Sequence, residues 1–119
     1  MEAEWSTSTT GKLGLDVLFS AITEAAAPIG VTKVSCEIRR ASVMIDQVTY
    51  KYDTQDDPAD VLDRYGGEVE SAYALIGVYP GESREAMAMI HLSFDGKRTR
   101  LRVETPSLRF LERLRAQLG

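Results

Sequence analysis

Residues 86–104 read AMAMIHLSFDGKRTRLRVE, and this stretch decides the class of fold. Asp95-Gly96 is a favoured two-residue hairpin loop, because both of its positions take a positive φ that Asp and Gly tolerate. On either side of the loop, apolar residues alternate with other types, as in a strand with one buried face. The stretch therefore predicts a β-hairpin with one face in the core and the other lined by arginines.

A two-residue loop also predicts which residues face each other across the hairpin. On the core face the predicted pairs are Leu92–Thr99, Ile90–Leu101 and Ala88–Val103. On the outward face they are Ser93–Arg98, His91–Arg100, Met89–Arg102 and Met87–Glu104. A slip of one residue would move every core side chain to solvent, so both alternations support the same register.

Three helices are predicted outside the hairpin. Leu13–Ala27 carries its large apolar residues on one helical stripe and ends before a Pro and a Gly. Asp57-Pro58 is a typical helix start and precedes a short helix over Ala59–Tyr65. Thr105-Pro106 repeats that signal before a final helix. The predicted inner face of this helix consists of Leu108, Leu111, Leu114 and Leu118.

Three further strands complete the predicted elements. Val31–Arg40 alternates as a half-buried strand, and Val43–Asp53 is rich in β-branched and aromatic residues. The link between them lacks Gly and Pro, which leaves its turn type open. Ser71–Tyr79 is the third strand. The order α-β-β-α-β-β-β-α predicts an α+β domain, with a largely antiparallel sheet of about five strands and helices packed on one face.

This order of elements resembles that of the roadblock family of dimeric adaptors, and more loosely that of the small acidic chaperones of secretion systems. The resemblance lies in the order of elements, and because one fold hosts many functions, it implies a fold and not a function. Residues 11–119 are predicted to form a single α+β domain. Residues 1–10 are predicted to be a flexible polar tail, in which Trp5 is the exception.

Length and composition are those of an ordinary globular domain. A chain of 119 residues can bury enough surface to fold without a disulfide or a metal. The single cysteine, Cys36, is predicted to be a small buried hydrophobic residue. No apolar run approaches the roughly 20 residues that cross a bilayer, and the acidic start Met1–Glu4 differs from a signal peptide. We therefore expect a cytoplasmic protein.

Charge is spread unevenly along the chain, whose net charge is −4. Residues 97–119 contain seven basic and two acidic side chains, a net charge of +5, so residues 1–96 carry −9. Such asymmetry suits a charged partner or two copies that meet head to tail. It also suits two parts of one fold that neutralise each other.

No segment carries a catalytic, cofactor or metal signature. Thr9–Leu13 lacks the upstream Gly of a phosphate-binding loop, and Lys12 is not followed by Ser or Thr. One His and one Cys cannot build a zinc site. The acidic residues between Asp53 and Asp63 lack the Gly and the final Glu of a calcium loop. His91 stands within a strand without a recognisable triad partner. We predict no catalytic residue, no metal, no cofactor and no enzymatic activity.

The outward face of the hairpin is the candidate contact surface. Met and Arg are enriched at protein interfaces, and neighbouring exposed methionines are unusual on a solvated sheet. The predicted partner-binding residues are Met87, Met89, His91, Arg98, Arg100 and Arg102. We therefore predict an adaptor-like interaction or assembly module that binds a protein partner or a second copy of itself. Nucleic acid, membrane and small-molecule substrates are not expected.

Two alternatives stay open at this point. The acidic residues from Asp53 to Asp63 also suit an inhibitor, an immunity protein or a secretion-type chaperone that covers a basic surface. A pocket between the helices and the sheet, with His91 or Tyr50 as polar lining, would instead indicate a small-ligand-binding or enzymatic domain.

Overall fold

Strands of one antiparallel sheet make up most of the computed structural model, which describes residues 2–11, 13–45, 47–52 and 69–118. Within these residues the strands are β1 Ala3–Thr10, β2 Val34–Ile45, β3 Val48–Tyr52, β4 Val69–Pro80, β5 Ala88–Phe94 and β6 Arg98–Thr105. Their spatial order is β1-β6-β5-β4-β2-β3. The helices are α1 Leu15–Ala26, which runs into a 3₁₀ turn at Ala27–Ile29, and α2 Leu108–Leu118. The predicted helix Ala59–Tyr65 lies outside the described residues.

Both helices pack on the same face of the sheet, where the main core lies. Leu18 and Ile22 of α1, and Phe110 and Leu114 of α2, are fully buried. The sheet residues in this core are led by Ile76, Ile90 and Val103. The molecule is therefore a compact α+β domain with an antiparallel sheet and its helices on one side, as the order of elements predicted. Within the described residues, the sheet has six strands instead of about five.

The additional strand is β1, in the segment that was predicted to be a flexible tail. Its whole length, Ala3–Thr10, pairs with β6. Ala3 and Trp5 pack against the main core, and the Arg115 guanidinium of α2 lies 5.6 Å from the centre of the Trp5 ring. The prediction was wrong because the inward positions Thr7 and Thr9 are polar, which hides the alternation that marks a strand.

Strand β2 is continuous where two strands separated by a turn were predicted. A β-bulge between Ile38 and Arg40 inserts one residue relative to β4 and lets the strand run on. The turn comes later: Ile45 pairs with Val48, and Gln47 adopts a positive φ of 65°. A bulge needs neither Gly nor Pro, which explains why the link showed no turn signal.

The hairpin β5–β6 forms where it was predicted, but its pairing is shifted. Phe94 pairs with Thr99 and His91 with Arg102, two residues further than a two-residue loop gives. The cause is the Asp95 side chain, whose Oδ1 accepts hydrogen bonds from the backbone N–H of Lys97 at 2.9 Å and of Arg98 at 2.8 Å. These bonds close a loop over residues 95–98. A shift of two keeps every strand residue on its predicted face.

Helix α2 begins two residues later than its predicted start, at Leu108 instead of Pro106. The Ser107 hydroxyl accepts a hydrogen bond from the N–H of Phe110 at 3.2 Å and so acts as the N-cap. Thr105, the predicted cap, is fully buried and donates to the carbonyl of Met87. Leu108 is 51% exposed and does not belong to the inner face, whereas Phe110 does.

Replacement of Trp5 by Ala tests the docking of β1. We expect the free energy of unfolding to fall by about 2 kcal/mol, because the variant loses apolar burial and the contact with Arg115. Ser6→Ala, an exposed position on the same strand, should change it by less than about 0.5 kcal/mol. Urea unfolding measures both, and a Trp5→Ala value as small as that of the control would mean that β1 is loosely held.

Acid titration of stability tests the Asp95 turn. The backbone N–H groups of Arg98 and Lys97 hold the pKa of Asp95 below its ordinary value of 3.8. The turn therefore adds stability above pH 3.8, and this contribution is lost as the pH falls towards the folded-state pKa. Asp95→Asn should remove that part of the pH dependence, measured as the urea midpoint from pH 5.5 to pH 2.5. Identical pH profiles for the two proteins would contradict the turn structure.

Candidate protein interface

The face of the sheet that points away from α1 and α2 carries most of the predicted contact residues, and we call it the outer face. Side chains alternate along each strand, so residues that flank a buried core residue lie on the outer face. Because neighbouring strands are in register, outer-face residues also line up in rows across the sheet.

Two adjacent rows cross the outer face, and we call them together the basic band. The first row, from β1 to β3, consists of Ser8, Arg100, Ser93, Tyr73, Ser42 and Lys51. The second row, from β1 to β2, consists of Ser6, Arg102, His91, Leu75 and Arg40. The band therefore holds four permanently charged basic side chains, one histidine and no acid.

Acidic side chains flank the basic band on one side. The next row across the sheet includes Glu4, Glu104 and Glu37, with Met89 and Gly77 between the last two. The outer face thus has a positive band beside an acidic row. A local excess of positive charge in a chain of net charge −4 marks the band as a distinct surface.

A polar network connects three strands across the band. The Tyr73 hydroxyl and His91 Nδ1 are 3.4 Å apart, and His91 Nε2 lies 3.8 Å from Glu104 Oε1. The same Glu104 oxygen is 3.5 Å from Arg102 Nε. His91 is thus held between a hydroxyl and a carboxylate, partners that its sequence position gave no reason to expect. The side chains of His91 and Glu104 remain 24% and 30% exposed.

The part of the band nearest β1 forms a broad, open depression. Its lining includes Ser6 and Ser8 of β1, Arg100 and Arg102 of β6, and His91. Thr7, Tyr73 and Ser93 are further polar residues of its lining. Hydroxyl donors and guanidinium groups thus surround a shallow concavity, an arrangement that suits a carboxylate better than an apolar group.

The centre of the outer face is partly apolar. Leu75 and Met89 are half-buried side chains that neither α1 nor α2 covers. Tyr79 is 7% exposed because its ring lies over Gly77, where a Cβ would come within 2.8 Å of the ring. The Arg39 guanidinium lies 5.7 Å from the centre of that ring. The aromatic face is therefore covered, and arginine forms its outer surface.

Four of the predicted partner-binding residues lie together on this face: Met89, His91, Arg100 and Arg102. Arg98 is the first residue of β6 and lies on the same face as Arg100 and Arg102, and its NH1 donates to the Ser8 hydroxyl at 3.5 Å. Met87 does not join them, because it precedes β5 and packs against the main core. Sequence reasoning missed Arg40 and Lys51, since only the order of the strands brings them into the band.

Other predicted chemistry can also be placed. No three His, Cys, Asp or Glu side chains within the described residues could hold a metal ion. His91 is on the outer face and Tyr50 packs with the small cluster of Val43 and Ile45, so the two do not line one pocket under the helices. The acidic residues Asp53 to Asp63 lie outside the described part. That the protein is not an enzyme stays a prediction.

Comparison of the chain with known proteins found no significant similarity. No protein-family model matches the chain, and no curated protein or solved structure is significantly similar to it. In the portion of the chain that the structure describes, no helix is both long and apolar enough to span a membrane.

Cys36 provides a test of the predicted inert thiol. It packs against the main core, and burial raises the pKa of its thiol from 9.0 to about 11. At pH 8 the folded protein should therefore react with a thiol reagent such as DTNB roughly 100-fold more slowly than the urea-unfolded chain, because it holds less thiolate. Equal rates in the two states would show that Cys36 is accessible and ionised.

Proposed function

We propose that this protein is a non-enzymatic interaction module that docks a protein partner on its outer sheet face. The observation behind the proposal is that, among the described residues, the helices cover one face of the six-stranded sheet, while the other face combines half-buried apolar side chains with the basic band. Arginine, methionine and tyrosine are the residue types that protein interfaces favour.

The mixture of side chains supports a protein surface over a plain solvated one. Leu75 and Met89 offer apolar area at the centre, and removal of such area from water stabilises a complex. Arg102 and Arg40 lie in the same row as Leu75, and arginine can pack its stem while its guanidinium pairs with a carboxylate. A contact surface of this composition has an apolar centre and a charged rim.

Self-association, which the sequence suggested, is the less favoured form of this proposal. Two copies related by a twofold axis through the band would bring the basic band of one copy against the basic band of the other. Like charges that face each other oppose association. A different protein with acidic side chains would meet no such repulsion.

Substitution at the centre of the outer face tests the proposal. Met89→Glu combined with Arg100→Glu should abolish association with partners from the source cells, because the charge reversal removes both the apolar contact and the basic one. The matched control is Val17→Glu, an apolar position on α1 that is 53% exposed on the helix side. Affinity purification and light scattering follow heterologous and self-association respectively.

The two variants give opposite expectations. Complexes should survive Val17→Glu and disappear with the Met89 and Arg100 changes, while circular dichroism shows both variants folded. Complexes that survive the outer-face changes and disappear with Val17→Glu would contradict the proposal and move the interface to the helices. A concentration-dependent dimer lost only with the outer-face changes would retain the proposal and identify the partner as a second copy.

A further inference from the structure

We infer that the partner presents an extended acidic polypeptide segment, which lies along the basic band and crosses the strands. This inference rests on the proposed function, since it gives the chemistry of the molecule that docks on the same face. Such a segment matches the charge of the band, its direction across the strands and the spacing of its cations.

Charge complementarity is the first argument. The band carries Arg100, Lys51, Arg102 and Arg40 without an acid in either row. All four side chains are exposed. Such a concentration of positive charge persists in a protein of net charge −4, and complementary potentials steer and orient partners.

The Arg100 guanidinium is open to a partner from outside the described residues. Within the described part of the chain, neither a hydrogen bond nor an ion pair engages its guanidinium. The Asp95 carboxylate interacts with it only at longer range. Arg102 differs, because its Nε lies 3.5 Å from Glu104. Arg100 therefore stands at the polar depression as a cation whose donors are available to an incoming carboxylate.

The distances between the basic side chains of the band match the spacing of side chains along an extended segment. Neighbouring strands lie about 4.8 Å apart, so Arg102 and Arg40, three strands apart, are separated by about 14 Å, and Arg100 and Lys51 by about 19 Å. An extended chain rises about 3.4 Å per residue with every second side chain on one side. Carboxylates at positions i and i+4 therefore match the first pair, and those at i and i+6 match the second.

Hydroxyl groups between the cations add directional contacts. Ser8, Ser93 and Ser42 stand in the same row as Arg100 and Lys51. A serine hydroxyl both donates and accepts, so these groups can bond the backbone of a segment that lies across them. Cations with hydroxyl groups between them suit a polypeptide whose acidic side chains lie four or six positions apart.

Nucleic acid fits the same surface less well. Glu4, Glu104 and Glu37 form the next row and would repel a phosphodiester backbone that extends beyond the band. Single-stranded nucleic acid also needs aromatic faces on which bases stack. Tyr73 is half-buried with its hydroxyl at His91, and the Tyr79 ring is covered by Arg39.

Binding of defined probes to the full chain tests the inference. Fluorescein-labelled deca-glutamate, which repulsion between its charges keeps extended at neutral pH, should bind in fluorescence anisotropy at low salt, and deca-glutamine should not. Arg100→Gln combined with Lys51→Gln should weaken deca-glutamate binding at least tenfold. Addition of salt to about 0.3 M should weaken binding to the unmodified protein, because exposed charges are screened.

The control variant also removes two positive charges, but from the helix side of the sheet. Arg109→Gln combined with Arg113→Gln changes two exposed arginines of α2 and should alter the deca-glutamate affinity by less than twofold. Equal losses in the two variants would mean attraction to net charge and would overturn the inference. So would tighter binding of a ten-nucleotide single-stranded RNA than of deca-glutamate, or no binding of deca-glutamate at all. None of these results would contradict the proposed function, which the variant with Met89→Glu and Arg100→Glu tests separately.

Discussion

Packing of both helices on one face of the sheet is the contact on which the rest of the structure depends. Ile22 and Phe110 are fully buried between the helices and the strands, together with Ile90 and Val103 from the sheet. Because strand side chains alternate, burial of Ile90 and Val103 turns His91 and Arg102 outward. The arginines of the basic band are therefore placed by a core they do not touch.

The same constraint explains what the sequence could and could not predict. Alternation along β5 and β6 predicted the faces of the two strands correctly, because any shift that keeps the core buried must be even. It did not predict the register, which depends on one side chain, Asp95, that accepts two backbone N–H groups. The strand β1 was missed because its inward residues Thr7 and Thr9 are as polar as its outward residues Ser6 and Ser8.

The candidate site was predictable along a strand but not across the sheet. Arg100 and Arg102 are close in sequence, and their common face follows from their spacing. Arg40 and Lys51 join them only because β2 lies between β3 and β4, and because a bulge turns Arg40 outward. Local periodicity does not predict which strands are neighbours in the sheet. A surface whose residues come from several strands can therefore be recognised only once the fold is known.

Pairing of β1 with β6 has a consequence for how the protein folds. It joins the first described strand to the last, with Ala3 opposite Thr105, whereas β2 pairs with β3, β4 with β5 and β5 with β6 across short stretches of chain. Closing a long chain segment costs more entropy than closing a hairpin, and distant contacts form slowly. We therefore expect β1 to join a preformed sheet late in folding. In the native state it should be the first strand to open and exchange its amide hydrogens.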